Sequence, residues 1–188
     1  KFGTAGDFVT APEISPLFSQ CVAGQCAQVL EGLGGGSIIE PGAGTGIMAA
    51  DILLELERLN ALPEQYLILE PSADLQARQA ETFTQRIPHL QTRVRWLDGS
   101  PEQSLRGVLL ANEVLDALPV SRFVMHAGQP QELGVSYAGD SFIFATRSAQ
   151  QELSTAVAAI ASTLKADLPD GFTSELCLQL PAWLQTAS

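Results

Sequence analysis

The stretch Ser37-Ile-Ile-Glu40-Pro-Gly42-Ala-Gly44-Thr-Gly46 decides the fold. A short apolar run ends in an acid, glycines then alternate, and a helical pattern begins at Ile47-Met48. That order is strand, tight turn, helix, and in a parallel sheet it leaves bare backbone at the carboxyl edge. Glycine suits such a turn because a Cβ would keep a ligand from lying against it. The stretch reads as a seat for a cofactor.

Three cofactor classes compete for it. A phosphate loop needs Lys and then Ser or Thr after the last glycine, and Ile47-Met48 stand there instead. A dinucleotide fingerprint needs a glycine at the sixth relative position; Gly42 and Gly44 fit the first two, but the sixth is Ile47. The first motif of S-adenosylmethionine (SAM) methyltransferases, Glu/Asp-x-Gly-x-Gly-x-Gly, is matched at every fixed position from Glu40 to Gly46. Charge points the same way. No Lys or Arg stands between Lys1 and Arg58, whereas Asp7, Glu13, Glu31, Glu40, Asp51, Glu55 and Glu57 do. An acidic surround attracts the sulfonium and ammonium of SAM.

Outward from the loop, Ser15-Pro16 is a helix entry with Ser as N-cap, and apolar residues follow at three- and four-residue spacing until Gly32–Gly36. A second helix is expected over about Gly44–Leu59, a buried strand over Gln65–Glu70 and a helix over Ser72–Ile87. A short strand is expected over Gln91–Trp96. Arg106–Glu113 reads as a fourth strand, continuously apolar as central parallel strands are. The alternation predicts an α/β fold with a doubly wound parallel sheet. Residues 121–147 break the pattern with Gly128-Gln-Pro130 and Gly139-Asp140, and predict an antiparallel insertion. Gln151–Leu168 reads as a helix, and Phe172–Ser188 as a tail that ends without a strand to complete the sheet. The whole, 1–188, reads as one domain, truncated at both ends, with 121–147 inserted.

The chain has 188 residues, 46% apolar and 16% charged, enough for a folded α/β domain. A net charge of −11 argues against a nucleic-acid backbone as partner and suits a cationic substrate. Cys21, Cys26 and Cys177 have no metal-binding spacing and read as reduced thiols of a cytosolic or matrix protein. No apolar run reaches membrane-span length. Lys1 is not Met, so a targeting segment would be invisible.

Ligands of such sheets bind beyond the strand carboxyl ends, where Glu40, Glu70, Asp98 and Glu113 fall. Glu70, 24 residues after Gly46, has the interval of an acid that accepts both ribose hydroxyls, for SAM and NAD alike. Asp98 is a candidate for the adenine amino group. Ala111-Asn112-Glu113-Val-Leu-Asp116 follows the fourth strand, where substrate and methyl donor would meet. Its two acids, three residues apart, are expected to share a helix face and grip a guanidinium. An NAD oxidoreductase stays open as an alternative; for hydride transfer it would have only His89 and His126 as acid or base. A SAM-binding assembly factor with little catalysis stays open as well.

Together, Gly6–Ser15, Glu40–Gly46, Glu70-Pro-Ser72, Ala111–Val120 and Gly171–Glu175 resemble the MidA-like family of SAM-dependent methyltransferases over nearly the whole chain. The family's mitochondrial members are arginine methyltransferases that assist assembly of respiratory complex I. The resemblance implies a class I (Rossmann-like) methyltransferase fold and SAM over Gly42–Gly46. It implies that Thr10, Pro12 and Glu13 wall the cofactor, and that Asn112, Glu113 and Asp116 lie where cofactor and substrate meet. The expected partner is a protein substrate, in the cytoplasm of a bacterium or the mitochondrial matrix of a eukaryote.

Overall fold

Four parallel strands carry the loop. β1 (Ser37–Pro41) lies between β2 (Tyr66–Leu69) and β4 (Gly107–Leu109), and β3 (Val94–Leu97) flanks β2, giving the order β3-β2-β1-β4. The computed structural model describes residues 10–99 and 104–186, so Gly6–Val9 of the first motif lie outside the described residues. The chain divides into two compact units, Lys1–Val114 and Leu115–Ser188.

In the first unit, α1 (Ala11–Ile14) leads into α2 (Pro16–Leu33), whose N-cap Ser15 accepts a hydrogen bond from the Leu17 amide. A left-handed Gly34 closes α2. α2 buries Ser19, Ala23, Cys26 and Leu30, a stripe at helical spacing. α3 (Ile47–Arg58) buries residues all round, among them Met48, Ile52, Leu53 and Leu56, because it packs against α2 and α4 (Ala73–Arg86). With Ile38, Tyr66, Ile68, Phe83 and Ile87 these form one core. Each such side chain contributes about 1.5–3 kcal/mol by leaving water.

The chain runs outward from β1 to β2 to β3, then returns to place β4 on the other side of β1. The gap beyond the carboxyl ends of β1 and β4 is the topological switch point, where open α/β sheets bind ligands.

Three expectations change in this unit. α3 starts at Ile47, not Gly44, because Gly44 and Gly46 hold φ of 54° and 79°, outside the helical region. Gln91–Arg93 is a 3-10 turn before β3. The fourth strand is three residues long and partly exposed instead of central. Among the described residues it pairs only with β1, and Leu109 is 39% exposed.

The second unit is an antiparallel sheet of β5 (Ser121–His126), β6 (Gln129–Ala138), β7 (Ser141–Ser148) and β8 (Thr173–Leu176), in the order β7-β6-β5-β8. Among the described residues the tail adds no strand to the parallel sheet; its β8 instead pairs with β5 and extends the antiparallel sheet beyond 121–147. α5 (Gln151–Leu164) buries Leu153 and Val157 in a core with Phe123 and Met125, and α6 (Leu180–Thr186) follows β8.

Candidate functional site

The loop after β1 is held in an unusual backbone path: Gly42, Gly44 and Gly46 all have left-handed φ, at 67°, 54° and 79°. The glycines serve different needs. A Cβ on Gly46 would stand 3.0 Å from the Phe83 ring and 3.2 Å from Gln79, so this glycine lets α4 close on the loop. Among the described residues, a Cβ on Gly44 would meet no atom within 4 Å beyond its own chain neighbours. Gly44 faces open space although it is half-buried, which is the cradle a cofactor needs.

Side chains of α4 hold the loop from the protein side. Gln79 Nε2 donates to the Gly44 carbonyl at 3.0 Å, and the Thr82 hydroxyl donates to the Thr45 carbonyl at 2.8 Å. Gln79 is fully buried, and its Oε1 accepts from Trp96 Nε1 at 2.8 Å. The same amide reaches Glu70 Oε2 at 3.4 Å. Glu70, just past β2, also accepts from the Ser72 amide at 3.0 Å through Oε1, and its backbone carbonyl accepts from Gln76 Nε2 at 2.6 Å. Each carboxylate oxygen keeps lone-pair capacity for a ligand hydroxyl.

On another side, Thr45 Oγ1 donates to Glu13 Oε1 at 2.6 Å and ties α1 to the loop. Pro12 is buried, and Thr10 is the N-cap of α1 without a side-chain cap bond. Below the loop, Glu40 on β1 is 2% exposed and accepts from the Tyr66 hydroxyl at 2.7 Å. Burial pushes its carboxyl up to about 7, against the lowering effect of the Tyr66 bond. Burial, reinforced by the neighbouring Glu40, raises the Tyr66 hydroxyl well above its usual range, so that it stays a donor.

The acidic surround is smaller than its residue count. Asp51 pairs with Arg86 at 2.6 Å, Glu55 with Arg58 at 2.6 Å and Glu57 with His89 at 3.0 Å. Asp7 lies outside the described residues. Glu13 and the partly neutral Glu40 are the acids built into the loop.

Asp98 is exposed in the bend after β3. Asn112 and Glu113 form the turn beyond β4. A Cβ on Gly42 would lie 3.5 Å from Val114 Cγ2, so this turn stands beside the glycine loop at the switch point. The shared helix face expected for Glu113 and Asp116 does not form. Glu113 is left-handed, with φ of 54°, and a 3-10 turn over Leu115–Ala117 carries Asp116. Asp116 is exposed and belongs to the second unit. In the first unit, then, the structure gathers Glu13, Glu40, Gly42, Gly44, Gly46, Glu70, Asn112 and Glu113 around one loop.

Sequence reasoning missed Gln79, Thr82, Gln76 and Trp96. A signal existed: the i, i+4 run Leu75, Gln79, Phe83, Ile87 puts a glutamine on an otherwise apolar stripe. Of the two histidines open to the dinucleotide alternative, His89 sits in the α4–β3 connection at the amino end of the sheet, opposite the loop, and His126 ends β5 in the second unit. No group of His, Cys, Asp and Glu that could hold a metal occurs among the described residues.

A family model for S-adenosyl-L-methionine-dependent methyltransferases matches residues 21–188. The mitochondrial protein arginine methyltransferase NDUFAF7 homolog of Drosophila melanogaster is 30% identical over 160 residues, covering 73% of this chain and 36% of that protein. The Danio rerio mitochondrial protein arginine methyltransferase NDUFAF7 is 31% identical over 145 residues, with coverages of 64% and 34%. A Burkholderia thailandensis crystal structure bound to S-adenosyl-homocysteine superposes with a TM-score of 0.84 at 41% identity, covering 97% of this chain and 46% of that one. A native crystal structure from the same organism gives 0.82 at 40% identity, with coverages of 98% and 48%. The chain thus spans about a third of the curated relatives and about half of the solved ones. The glycine loop, the sheet that carries it and the family match agree, and the chain belongs to the MidA-like family of SAM-dependent methyltransferases.

Proposed function

We propose that the chain holds SAM over the Gly42–Gly46 loop and serves methyl transfer to an arginine of a protein substrate. The observation that carries this reading is Gly44, left-handed and half-buried, with no atom of the described residues, its chain neighbours aside, within 4 Å of where a Cβ would stand. Support for the cofactor also comes from the S-adenosyl-homocysteine in the Burkholderia relative, and support for arginine from the names of the two mitochondrial relatives.

When bound, SAM supplies a methyl group on a cationic sulfur, open to in-line attack by a nitrogen lone pair. The chain's own residues then bind and orient. Glu70 accepts the ribose hydroxyls, and Asp98 takes the adenine amino group. Thr10, Pro12 and Glu13 wall the site through α1 and keep water from it. Asn112 lies along the cofactor beside Gly42, and Glu40 offers a buried carboxyl beneath the loop. Glu113, in the turn beside the loop, would grip the guanidinium and hold one nitrogen toward the methyl carbon, so that catalysis rests on positioning and electrostatics.

The family resemblance extends the proposal to a respiratory complex I subunit as acceptor, in the mitochondrial matrix of a eukaryote or the cytoplasm of a bacterium. Among the described residues no helix is long and apolar enough to cross a membrane. The test incubates the purified protein with methyl-labelled SAM and complex I subunits, followed by peptide mass spectrometry. Label on an arginine side chain is expected. SAM bound with no arginine labelled would favour an assembly factor with little catalysis.

A further inference from the structure

Glu70 is the acid expected to read the ribose, but nothing in its own position on the chain fixes where its two oxygens point. The surrounding bonds do. Gln76 and Gln79, three residues apart on one face of α4, both turn toward it. Gln76 takes the Glu70 backbone carbonyl at 2.6 Å, the Ser72 amide takes Oε1 at 3.0 Å, and Gln79 Nε2 approaches Oε2 at 3.4 Å.

The orientation of the Gln79 amide is decided by its neighbours' chemistry. An indole N–H only donates, so Trp96 Nε1 at 2.8 Å requires the amide oxygen on its side. The NH2 must then face the Gly44 carbonyl at 3.0 Å and Glu70, both acceptors. A flipped amide would set oxygen against both. Gln79 is fully buried, so water cannot take over these bonds.

We infer that Gln79 is a positioning residue for ribose recognition: locked by Trp96, it sets the Glu70 carboxylate for the cofactor's two hydroxyls and ties that setting to the glycine loop. The inference rests on the cofactor reading above and adds to it a residue outside the glycine motif: a glutamine on α4, joined at once to β3, the loop and the end of β2.

The test is calorimetric, on the purified protein, with S-adenosyl-homocysteine and its 2′-deoxy and 3′-deoxy analogues. In the parent protein the analogues should bind roughly tenfold more weakly, the usual cost of one lost hydrogen bond to a charged group. Gln79→Met should weaken S-adenosyl-homocysteine roughly tenfold and bring the analogue-to-parent ratio toward one, because a misdirected Glu70 no longer distinguishes the ligands. Trp96→Phe, which removes only the N–H and keeps an aromatic ring beside Phe83, should shrink the ratio in the same direction. It serves alone if Gln79→Met does not fold. A residue that only stabilised the fold would lower affinity for all three ligands alike. An unchanged ratio in the variant that folds overturns the inference. Failure of the parent protein to bind S-adenosyl-homocysteine at all overturns the cofactor reading, and this inference with it.

Discussion

The Thr45 hydroxyl donates a 2.6 Å hydrogen bond to the Glu13 carboxylate, joining the glycine loop to a helix that precedes it by 32 residues. α1 has only four residues and could not hold its place by helical propensity. The buried Pro12 ring and this bond attach it to the loop. Thr45→Val should therefore leave a part-buried carboxylate without its donor, at a cost of about 1–3 kcal/mol. The expected outcome is a roughly tenfold loss of SAM affinity by calorimetry, with a fall of a few degrees in thermal midpoint. Unchanged affinity would mean that α1 does not wall the cofactor.

Gly44 and Gly46 should respond differently to a side chain. Either residue with a Cβ bears about 1–2 kcal/mol for its left-handed backbone. Gly44→Val should add little beyond that, since among the described residues none but its chain neighbours stands within 4 Å, yet abolish SAM binding by filling the cradle. Gly46→Val drives atoms into Phe83 and Gln79 and should lower the thermal midpoint far more. Melting curves and SAM titrations of the two variants separate a ligand-facing glycine from a packing one.

Glu40 predicts a pH dependence of unusual sign for an acid. Its folded carboxyl stands at about 7, above the ordinary value of 4.5, so the folded protein holds a proton that the unfolded chain has lost. The contribution is full below pH 4.5, falls as pH rises from 4.5 to about 7, and is level above that. Glu40→Gln removes the slope, and its stability relative to the parent should rise by roughly 3 kcal/mol between pH 4.5 and pH 8. Urea unfolding across that range checks it; parallel profiles would show that Glu40 titrates normally.

Glu113 is exposed in the turn beside the loop, with left-handed φ of 54°. Glu113→Gln should leave the thermal midpoint and SAM affinity near parent values and lower kcat by roughly a hundredfold, if it grips the substrate guanidinium. Equal losses in SAM affinity and turnover would move Glu113 to the cofactor.

The parallel sheet and the loop were legible because apolar runs, glycines and strand-end acids all carry one meaning in an α/β pattern. Ser15-Pro16 and Gly34 marked the ends of α2 for the same local reason. What escaped was set by tertiary contact. Arg106–Glu113 has the apolar character of a central strand, but only Gly107–Leu109 of it forms a strand, and among the described residues that strand pairs with β1 alone. Thr173–Leu176 is too short and mixed to announce a strand, and β5 makes it one. Glu113 and Asp116 have helical spacing, but Glu113 turns left-handed and separates them. The Trp96–Gln79–Glu70 chain joins three elements, so only the folded chain displays it.

The central claim is that the Gly42–Gly46 loop seats SAM. Calorimetric titration of the purified protein with SAM and, separately, with NADH tests it most directly. The account predicts saturable binding of SAM, lost in Gly44→Val while that variant still unfolds cooperatively, and no binding of NADH. Binding of NADH, or SAM binding that Gly44→Val leaves intact, would contradict it.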